Sequence, residues 1–92
     1  MKIFIDDYRD KPPEYDIKVD RLSRFLGLLL TQDVKLISFD HDLDGYALDG
    51  NAFAQVAVWL YREGSIEKFE WRVHSANPVG ADRIRHTLRG MA

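Results

Sequence analysis

The sequence predicts an α/β fold in which a short, mainly parallel sheet of about four strands packs with three helices in three layers. Two apolar runs, Ile3–Ile5 and Leu36–Phe39, stop abruptly at acidic residues, which is typical of buried strands with polar exits. Apolar residues at helical spacing separate these runs from a later, alternating run at 69–73. Strands that alternate with helices form parallel sheets with right-handed crossovers, so the strands should end at one common edge.

The first half of the chain predicts a second, brief strand and one helix. Pro12-Pro13 excludes a helix after the first strand, and the link 6–14 is too short for a crossover helix. Ile17–Val19 then predicts an edge strand, and Asp20 is the predicted N-cap of the first helix. The buried stripe of that helix is predicted from apolar residues spaced i, i+3, i+4 and i+7, which are Leu22, Phe25, Leu26 and Leu29.

The second half predicts two further helices around the alternating strand. The second helix buries Phe53, Val56, Ala57 and Leu60, and the third buries Ala81, Ile84 and Leu88. Gly64 is the predicted left-handed residue at the C-terminus of the second helix. Asn77 is the predicted N-cap of the third helix, Pro78 its first residue and Gly90 its end. Continuous apolar runs predict central strands, whereas the alternating run predicts an edge strand with one wet face.

Composition excludes several classes of protein. The 92 residues are expected to form one domain, residues 1–92, and no apolar run approaches the ~20 residues of a membrane span. The chain has no cysteine, so a disulfide framework and a zinc–thiolate site are excluded, and we expect a cytoplasmic protein without a secretory leader. Thirteen basic against fifteen acidic residues give a net charge of −2, which argues against strong attraction of the whole protein to nucleic acid but permits a local basic patch.

Polar side chains that can bind ligands or take part in catalysis follow three of the predicted apolar strands. They form three clusters, which are Asp6, Asp7 and Arg9, then Asp40, His41 and Asp42, then His74, Ser75 and Asn77. Ligands of open α/β sheets bind outside the carboxyl ends of the strands, so these clusters should converge there. Any single cluster has a plainer interpretation as a solvated strand end, but three clusters at three strand exits favour a shared site.

The carboxylates of this site predict a metal ion. Two unit charges at ~4 Å repel by about 4 kcal/mol at an effective dielectric constant near 20, so such a site needs a cation, a shared proton, or Arg9 and a protonated histidine to hold it together. Oxygen ligands suit Mg²⁺ or Mn²⁺, and imidazole would also admit zinc. The predicted metal ligands are Asp6, Asp7, Asp40 and Asp42. The alternative is that one carboxylate simply pairs with Arg9.

The histidines and the last helix start predict acid–base chemistry and phosphate binding. His41 and His74, with Asp40, are the predicted catalytic residues, and the sequence leaves open which histidine is the base. For His74 the alternative is a strand-end histidine hydrogen-bonded to backbone. The predicted phosphate-binding residues are Arg9, Ser75, Asn77 and Gly80. Asn77 has a plainer role as a helix cap.

Other polar residues of the last helix have surface interpretations. His86 lies in mid-helix and is predicted to be on the surface. Arg83, Arg85 and Arg89 are candidates to guide a nucleic-acid backbone, and the alternative is a solvated helix face.

With these residues assembled, the sequence resembles the cyclic-phosphate-processing receiver-like family of bacteria and phages. The matching blocks are 5–9 with Pro12, 38–43 with Gly50, and 74–80. The resemblance implies a shortened response-regulator receiver, or flavodoxin-like, fold in which Asp6 and Asp7 match the acidic pair and Asp40 the phosphate-accepting position. The chain departs from receivers in having no counterpart of the lysine after a fifth strand. It departs from the family pattern in having Asp82-Arg83 after Gly80, where the family has an asparagine-methionine pair.

Three functional hypotheses follow. The first is a phosphoesterase that hydrolyses a cyclic phosphate on an RNA end, a nucleotide or an ADP-ribose derivative, assisted by Mg²⁺ or Mn²⁺. The second is a non-catalytic receiver-like module that binds metal or phosphate and signals through a protein partner. The third is an accessory protein with an apolar docking patch, for which Tyr8, Tyr46 and Leu48 are the candidates. The partner is thus a phosphate-containing small molecule, an RNA end or a protein, with neither a membrane nor DNA implied.

Overall fold

The predicted order of strands and helices is present in the structure, a computed structural model that describes residues 1–43 and 49–91. The elements are β1 (Lys2–Ile5), β2 (Ile17–Val19), α1 (Leu22–Thr31), β3 (Leu36–Phe39), α2 (Gly50–Arg62), β4 (Glu70–Val73) and α3 (Pro78–Leu88), followed by a 3₁₀ turn, Arg89–Met91. Tyr46 and Leu48, two of the three patch candidates, lie outside the described residues. Among the described residues, no helix is long and apolar enough to cross a membrane.

The four strands form one parallel sheet in the order β2-β1-β3-β4. The two continuous apolar strands are therefore central and the alternating strand is at an edge, as predicted. Lys2 pairs with Leu36 and Leu36 pairs with Glu70, so equivalent residues of the three strands are 34 positions apart in the sequence. This register decides which side chains meet beyond the strand ends.

The layer count differs from the prediction, because all three helices pack on one face of the sheet. Ile3, Ile37 and Phe39 share one core with the buried side chains of α1, α2 and α3. Both helical crossovers run in the same direction across the sheet, and right-handed connections then place their helices on the same face. The link from β1 to β2 runs the opposite way, and on the other face Tyr15 of that link packs on Phe4. The fold has two main layers rather than three.

Three details of the helices also differ from the prediction. Arg21, not Asp20, is the N-cap of α1 and makes no side-chain cap hydrogen bond, because the chain stays extended one residue longer than predicted. Leu26 is 37% exposed, since the buried stripe centres on Phe25 and Leu29. Gly90 does not end α3 but lies within the 3₁₀ turn.

The predicted caps of the other helices are confirmed. Gly64 has a φ of +81°, a conformation that glycine adopts without a Cβ penalty. Asn77 caps α3, with its side-chain oxygen accepting the backbone N–H of Gly80 at 3.1 Å, and Pro78 is the first helical residue. The Asn77 cap and Pro78 fix where α3 starts, shortly after the end of β4.

Candidate functional site

The sheet register brings three predicted site residues together. Asp6, Asp40 and His74 each lie just beyond the last residue of β1, β3 and β4, and they are spaced by the same 34 positions that relate paired residues of these strands. One ligand atom from each of these side chains lies within 4.8 Å of the other two. The convergence predicted from the strand exits is therefore present for one residue of each cluster.

Asp6 is fully buried and is held by four hydrogen bonds. Its Oδ1 accepts the backbone N–H groups of Tyr8 at 2.8 Å and Arg9 at 2.9 Å. Its Oδ2 faces Nε2 of His74 at 3.0 Å and Nη1 of Arg9 at 3.4 Å. Burial opposes ionisation of this carboxyl, but the hydrogen bonds from Arg9, Tyr8 and His74 outweigh it and lower its pKa below the ordinary value. Asp6 is therefore a stabilised carboxylate.

The His74 ring is fixed by contacts on three sides. Nε2 donates to Asp6, because an ionised carboxylate only accepts hydrogen bonds, so in the neutral ring Nδ1 accepts from the Ser38 hydroxyl at 2.6 Å. The ring also stacks on Phe4, with centroids 4.2 Å apart and planes inclined by 12°. Burial lowers the pKa of His74 despite the neighbouring carboxylates, so the neutral ring predominates near neutral pH.

Asp40 is buried beside Asp6, and fewer hydrogen bonds offset the cost of burying its charge. Its Oδ1 accepts the backbone N–H of His41 at 2.9 Å. Burial and the charge of Asp6 raise the pKa of Asp40, and the opposing effect of His74 is smaller. A carboxyl with a raised pKa in a buried site is a better proton acceptor than an ordinary one when it is ionised.

Arg9 lies at the edge of this cluster. Its Nη1 donates to the backbone carbonyl of His74 at 3.1 Å and faces Asp6, while its side chain remains 43% exposed. The guanidinium is thus anchored at one nitrogen and reaches solvent with the remainder. This arrangement suits the predicted role of contacting phosphate oxygens.

His41 belongs to a different environment, between the starts of α2 and α3. A Cβ on Gly80 would overlap the His41 ring, and a Cβ on Gly50 would overlap the Asp40 carbonyl oxygen, so each helix start approaches β3 through a glycine. Nδ1 of His41 hydrogen-bonds Asp42 Oδ1 at 2.7 Å. Nε2 is buried and has no hydrogen-bond partner among the described residues.

The remaining predicted phosphate ligands bond within the protein. The Ser75 hydroxyl accepts the backbone N–H of Asn77 at 3.1 Å, and the Gly80 N–H is taken by the Asn77 cap. The Asn77 amide nitrogen lies 3.5 Å from Asp42 Oδ1. The hydrogen bond from His41 lowers the pKa of Asp42, which is more than half exposed. Gly80 lies against the His41 ring, which a Cβ at this position would overlap.

A cavity of about 140 Å³ joins most of these groups. Its lining consists of Asp6, Asp7, Tyr8, Arg9, Asp40, Asp42 and Ala76. Typical small-molecule pockets have volumes of ~300 Å³ or more, so this cavity suits a phosphate group and not a whole nucleotide. Neither catalytic histidine candidate lines it, although His74 bonds directly to Asp6.

Comparison with known proteins agrees with this arrangement. A family model described as the cyclic-phosphate processing receiver domain matches residues 1–90. The chain belongs to this family. Searches of curated proteins and of solved structures found no match. In this receiver domain, the Asp6, Asp7 and Asp40 positions implied by the resemblance all line the same cavity.

The donor atoms fit a divalent ion, with a ligand set that differs from the one predicted. Two carboxylates and one imidazole, from Asp6, Asp40 and His74, form the group that could hold a metal among the described residues. Asp7 and Asp42 line the cavity but do not belong to that group. A mixed oxygen and nitrogen set admits Mn²⁺ or Zn²⁺ as well as Mg²⁺.

Sequence reasoning missed residues that support the predicted ones. Ser38 orients His74, and Asp49, the N-cap of α2, has Oδ2 at 3.8 Å from Nε2 of His41. A signal for Ser38 was present, because it is the only polar residue of β3 and shares the face of Asp40 in a period-2 strand. No comparable signal distinguishes Asp49 from an ordinary helix cap.

Proposed function

We propose that this receiver domain is a phosphoesterase that opens a cyclic phosphate by hydrolysis. The observation that carries the proposal is the meeting of Asp6, Asp40 and His74 at one level of the sheet, beside a phosphate-sized cavity that Arg9 also lines. A general base and a cation that stabilises the developing charge on phosphate oxygens are groups that promote hydrolysis of a phosphate diester, and Asp40 and Arg9 are suited to these two roles.

Asp40 acts as the general base in this proposal. Its raised pKa favours proton uptake from a water molecule, and its position on the cavity wall supports this role toward a phosphate bound there. Asp6 is unsuited to this task, because its hydrogen bonds stabilise the ionised form.

Arg9 binds the phosphate oxygens and offsets the charge that develops on them. The contacts of Nη1 with Asp6 and with the His74 carbonyl hold the guanidinium in place before substrate arrives. The reaction consumes one water, forms one P–O bond and breaks one ring P–O bond. The proton lost by water is balanced by the proton that the leaving ring oxygen gains, which yields a phosphomonoester.

A divalent ion would give a second form of this scheme. Asp6, Asp40 and His74 would hold it, and the ion, instead of Asp40 as a free base, would then supply activation of water and charge neutralisation. The Ser38 hydroxyl serves either tautomer of His74, because it can donate to Nδ1 or accept from it. His41 positions Asp42 on the cavity wall rather than contacting the phosphate itself.

The proposal is tested with a panel of 2′,3′-cyclic nucleotides, RNA ending in a cyclic phosphate and cyclic-phosphorylated ADP-ribose, each with Mg²⁺, Mn²⁺ or a chelator. We expect a phosphomonoester product, detected by mass as the addition of one water, and a rate at least ~10²-fold lower for Asp40→Asn. Asp33→Asn, at an exposed acid paired with Lys35, is the matched control and should keep the wild-type rate. Binding of the panel without product would instead favour the non-catalytic module.

A further inference from the structure

Two neighbouring cavities form one groove along the outer side of α2 and α3. Cavities of about 540 and 630 Å³ share the side chains of Gln55, His86 and Thr87. The first cavity, of about 540 Å³, lies at the starts of the two helices and is lined by Asn51 and Val79. The second cavity, of about 630 Å³, lies toward the helix ends and is lined by Trp59 and Arg89. We call this surface the α2–α3 groove.

One end of the groove reaches the surroundings of the candidate site. Arg83 lines the first cavity, and its Nη1 lies 4.0 Å from Asp49 Oδ2. The same Asp49 oxygen lies 3.8 Å from Nε2 of His41, whose Nδ1 bonds the cavity residue Asp42. A chain of side-chain contacts through Asp49 and His41 therefore links the groove to Asp42 on the wall of the phosphate cavity.

The charge of this surface has the opposite sign to that of the whole chain. The residues of α2, α3 and the 3₁₀ turn include four basic and one acidic residue, whereas the chain has 13 basic and 15 acidic. The four basic residues are Arg62, Arg83, Arg85 and Arg89, and three of them line the groove. The local excess of positive charge complements a polyanion.

The far end of the groove combines an aromatic ring with two arginines. Trp59 is 59% exposed and lines the second cavity together with Arg62 and Arg89. Two nitrogens of Arg62 donate to the Gly90 carbonyl at 3.2 and 3.1 Å, which holds the guanidinium on the groove wall. An exposed aromatic ring among basic side chains is the composition of surfaces that stack bases and follow a phosphate backbone.

We propose that the α2–α3 groove binds the 3′-terminal nucleotides of a single-stranded RNA whose terminal 2′,3′-cyclic phosphate lies in the cavity beside Asp40. The inference rests on the proposed function for the choice of RNA, because a strand end forms this cyclic phosphate only if it carries a 2′-hydroxyl. Trp59 stacks on a base, and Arg83 and Arg89 contact backbone phosphates at the two ends of the groove.

Binding is measured by quenching of Trp59 fluorescence in a Trp71→Phe background, because the chain has two tryptophans. The probes are a nucleoside 3′-phosphate, a tetranucleotide with a 3′-phosphate and a polyglutamate peptide. We expect the tetranucleotide to bind at least tenfold more tightly than the mononucleotide. Arg89→Gln should weaken the tetranucleotide at least about threefold and reduce the salt dependence by roughly one phosphate contact, without affecting the mononucleotide.

The stacking contact is tested by Trp59→Ala, with affinity measured by competition against a labelled tetranucleotide. We expect a loss of about fivefold or more. Arg24→Gln and Leu30→Ala, at exposed positions of α1, are matched controls that should leave affinity unchanged. Equal affinity for mononucleotide and tetranucleotide would overturn the proposal, and tight polyglutamate binding would overturn it in favour of an acidic protein partner.

The two proposals fail separately. Oligonucleotide binding that depends on Trp59 and Arg89, without turnover of any cyclic phosphate, would keep the groove as an RNA surface and remove the phosphoesterase. Turnover of a cyclic mononucleotide, with no gain from chain length and no effect of the groove variants, would keep the enzyme and remove the groove.

Discussion

The two histidines that follow buried strands lie in environments that differ in how much of each ring is bonded. His74 has both nitrogens and one ring face occupied, by Asp6, Ser38 and Phe4. His41 has one bonded nitrogen, on Asp42, and a second that is enclosed without a hydrogen-bond partner among the described residues. His74 faces the carboxylate cluster, whereas His41 packs under the starts of two helices.

This difference teaches that the same sequence feature, a histidine at a strand exit, can serve two purposes. Successive residues of a strand point to opposite faces, and His41 is one residue further along its strand than the position equivalent to His74. The residue at the equivalent position is Asp40, which points toward Asp6. We therefore assign His74 to the reacting centre and His41 to the positioning of Asp42.

The largest effect should come from comparing His74→Ala with His41→Ala on a cyclic mononucleotide. We expect His74→Ala to lower the rate at least ~10²-fold, because it removes the ring that donates to Asp6 and completes the cluster with Asp40. His41→Ala should lower it by about tenfold, as expected of a residue that orients another. His86→Ala, at an exposed helix position, should have no effect on this substrate. Equal losses at both positions would contradict the assignment.

A second comparison concerns the close approach of α3 to His41. Gly80→Ala should destabilise the fold by about 1–3 kcal/mol, because the new methyl group overlaps the imidazole ring. Unfolding by urea measures the change. Gly27→Ala is the control, since a Cβ there meets no atom within 4 Å and a helical alanine should stabilise by about 0.5–1 kcal/mol.

The double variant Gly80→Ala with His41→Ala then shows whether the ring is the cause. If it is, Gly80→Ala should lower the free energy of unfolding much less in the His41→Ala background than in the wild type, so the two substitutions are not additive. A full cost in both backgrounds would show that the α3 backbone, and not His41, requires the glycine.

The fold was predictable to the extent that it depended on local patterns. Continuous apolar strands, the alternating β4 and the Asn77-Pro78 cap identified the central strands, an edge strand and the start of α3. The layer count was wrong because it depends on the direction of each crossover, which periodicity does not encode. The strand order determines that direction and so places α1 and α2 on one face, where α3 packs against α2.

The site was predictable as a set of residues but not as a set of contacts. Convergence at the strand ends follows from parallel topology, which is why Asp6, Asp40 and His74 were found. The separation of His41 from them depends on register. Asp6, Asp40 and His74 are spaced by 34 residues, as are the paired residues of their strands. This spacing identifies the three as neighbours only when it is known which strands pair.

The smallest expected effects are opposite changes in stability at the two buried carboxyls of the His74 region. Asp40→Asn should stabilise the fold by about 0.5–2 kcal/mol at neutral pH, because it removes a buried charge that Asp6 repels. Asp6→Asn should destabilise it by about 1–3 kcal/mol, because it weakens hydrogen bonds made to a charged group. Thermal unfolding of both variants beside the wild type measures the pair.

The pH dependence of these two differences provides their control. A carboxyl whose pKa is raised on folding favours the folded state when protonated, so the advantage of Asp40→Asn should shrink as the pH falls through the raised pKa of Asp40. The pKa of Asp6 is lowered on folding, so its ionised form stabilises the fold fully at a pH above the ordinary pKa of an aspartate. That contribution is lost as the pH falls from there through the lowered pKa of Asp6. The Asp40→Asn difference should therefore disappear at a higher pH than the Asp6→Asn difference. The reverse order, or a lower unfolding temperature for Asp40→Asn at neutral pH, would mean that Asp40 is a structural carboxylate like Asp6, and would remove it as the base.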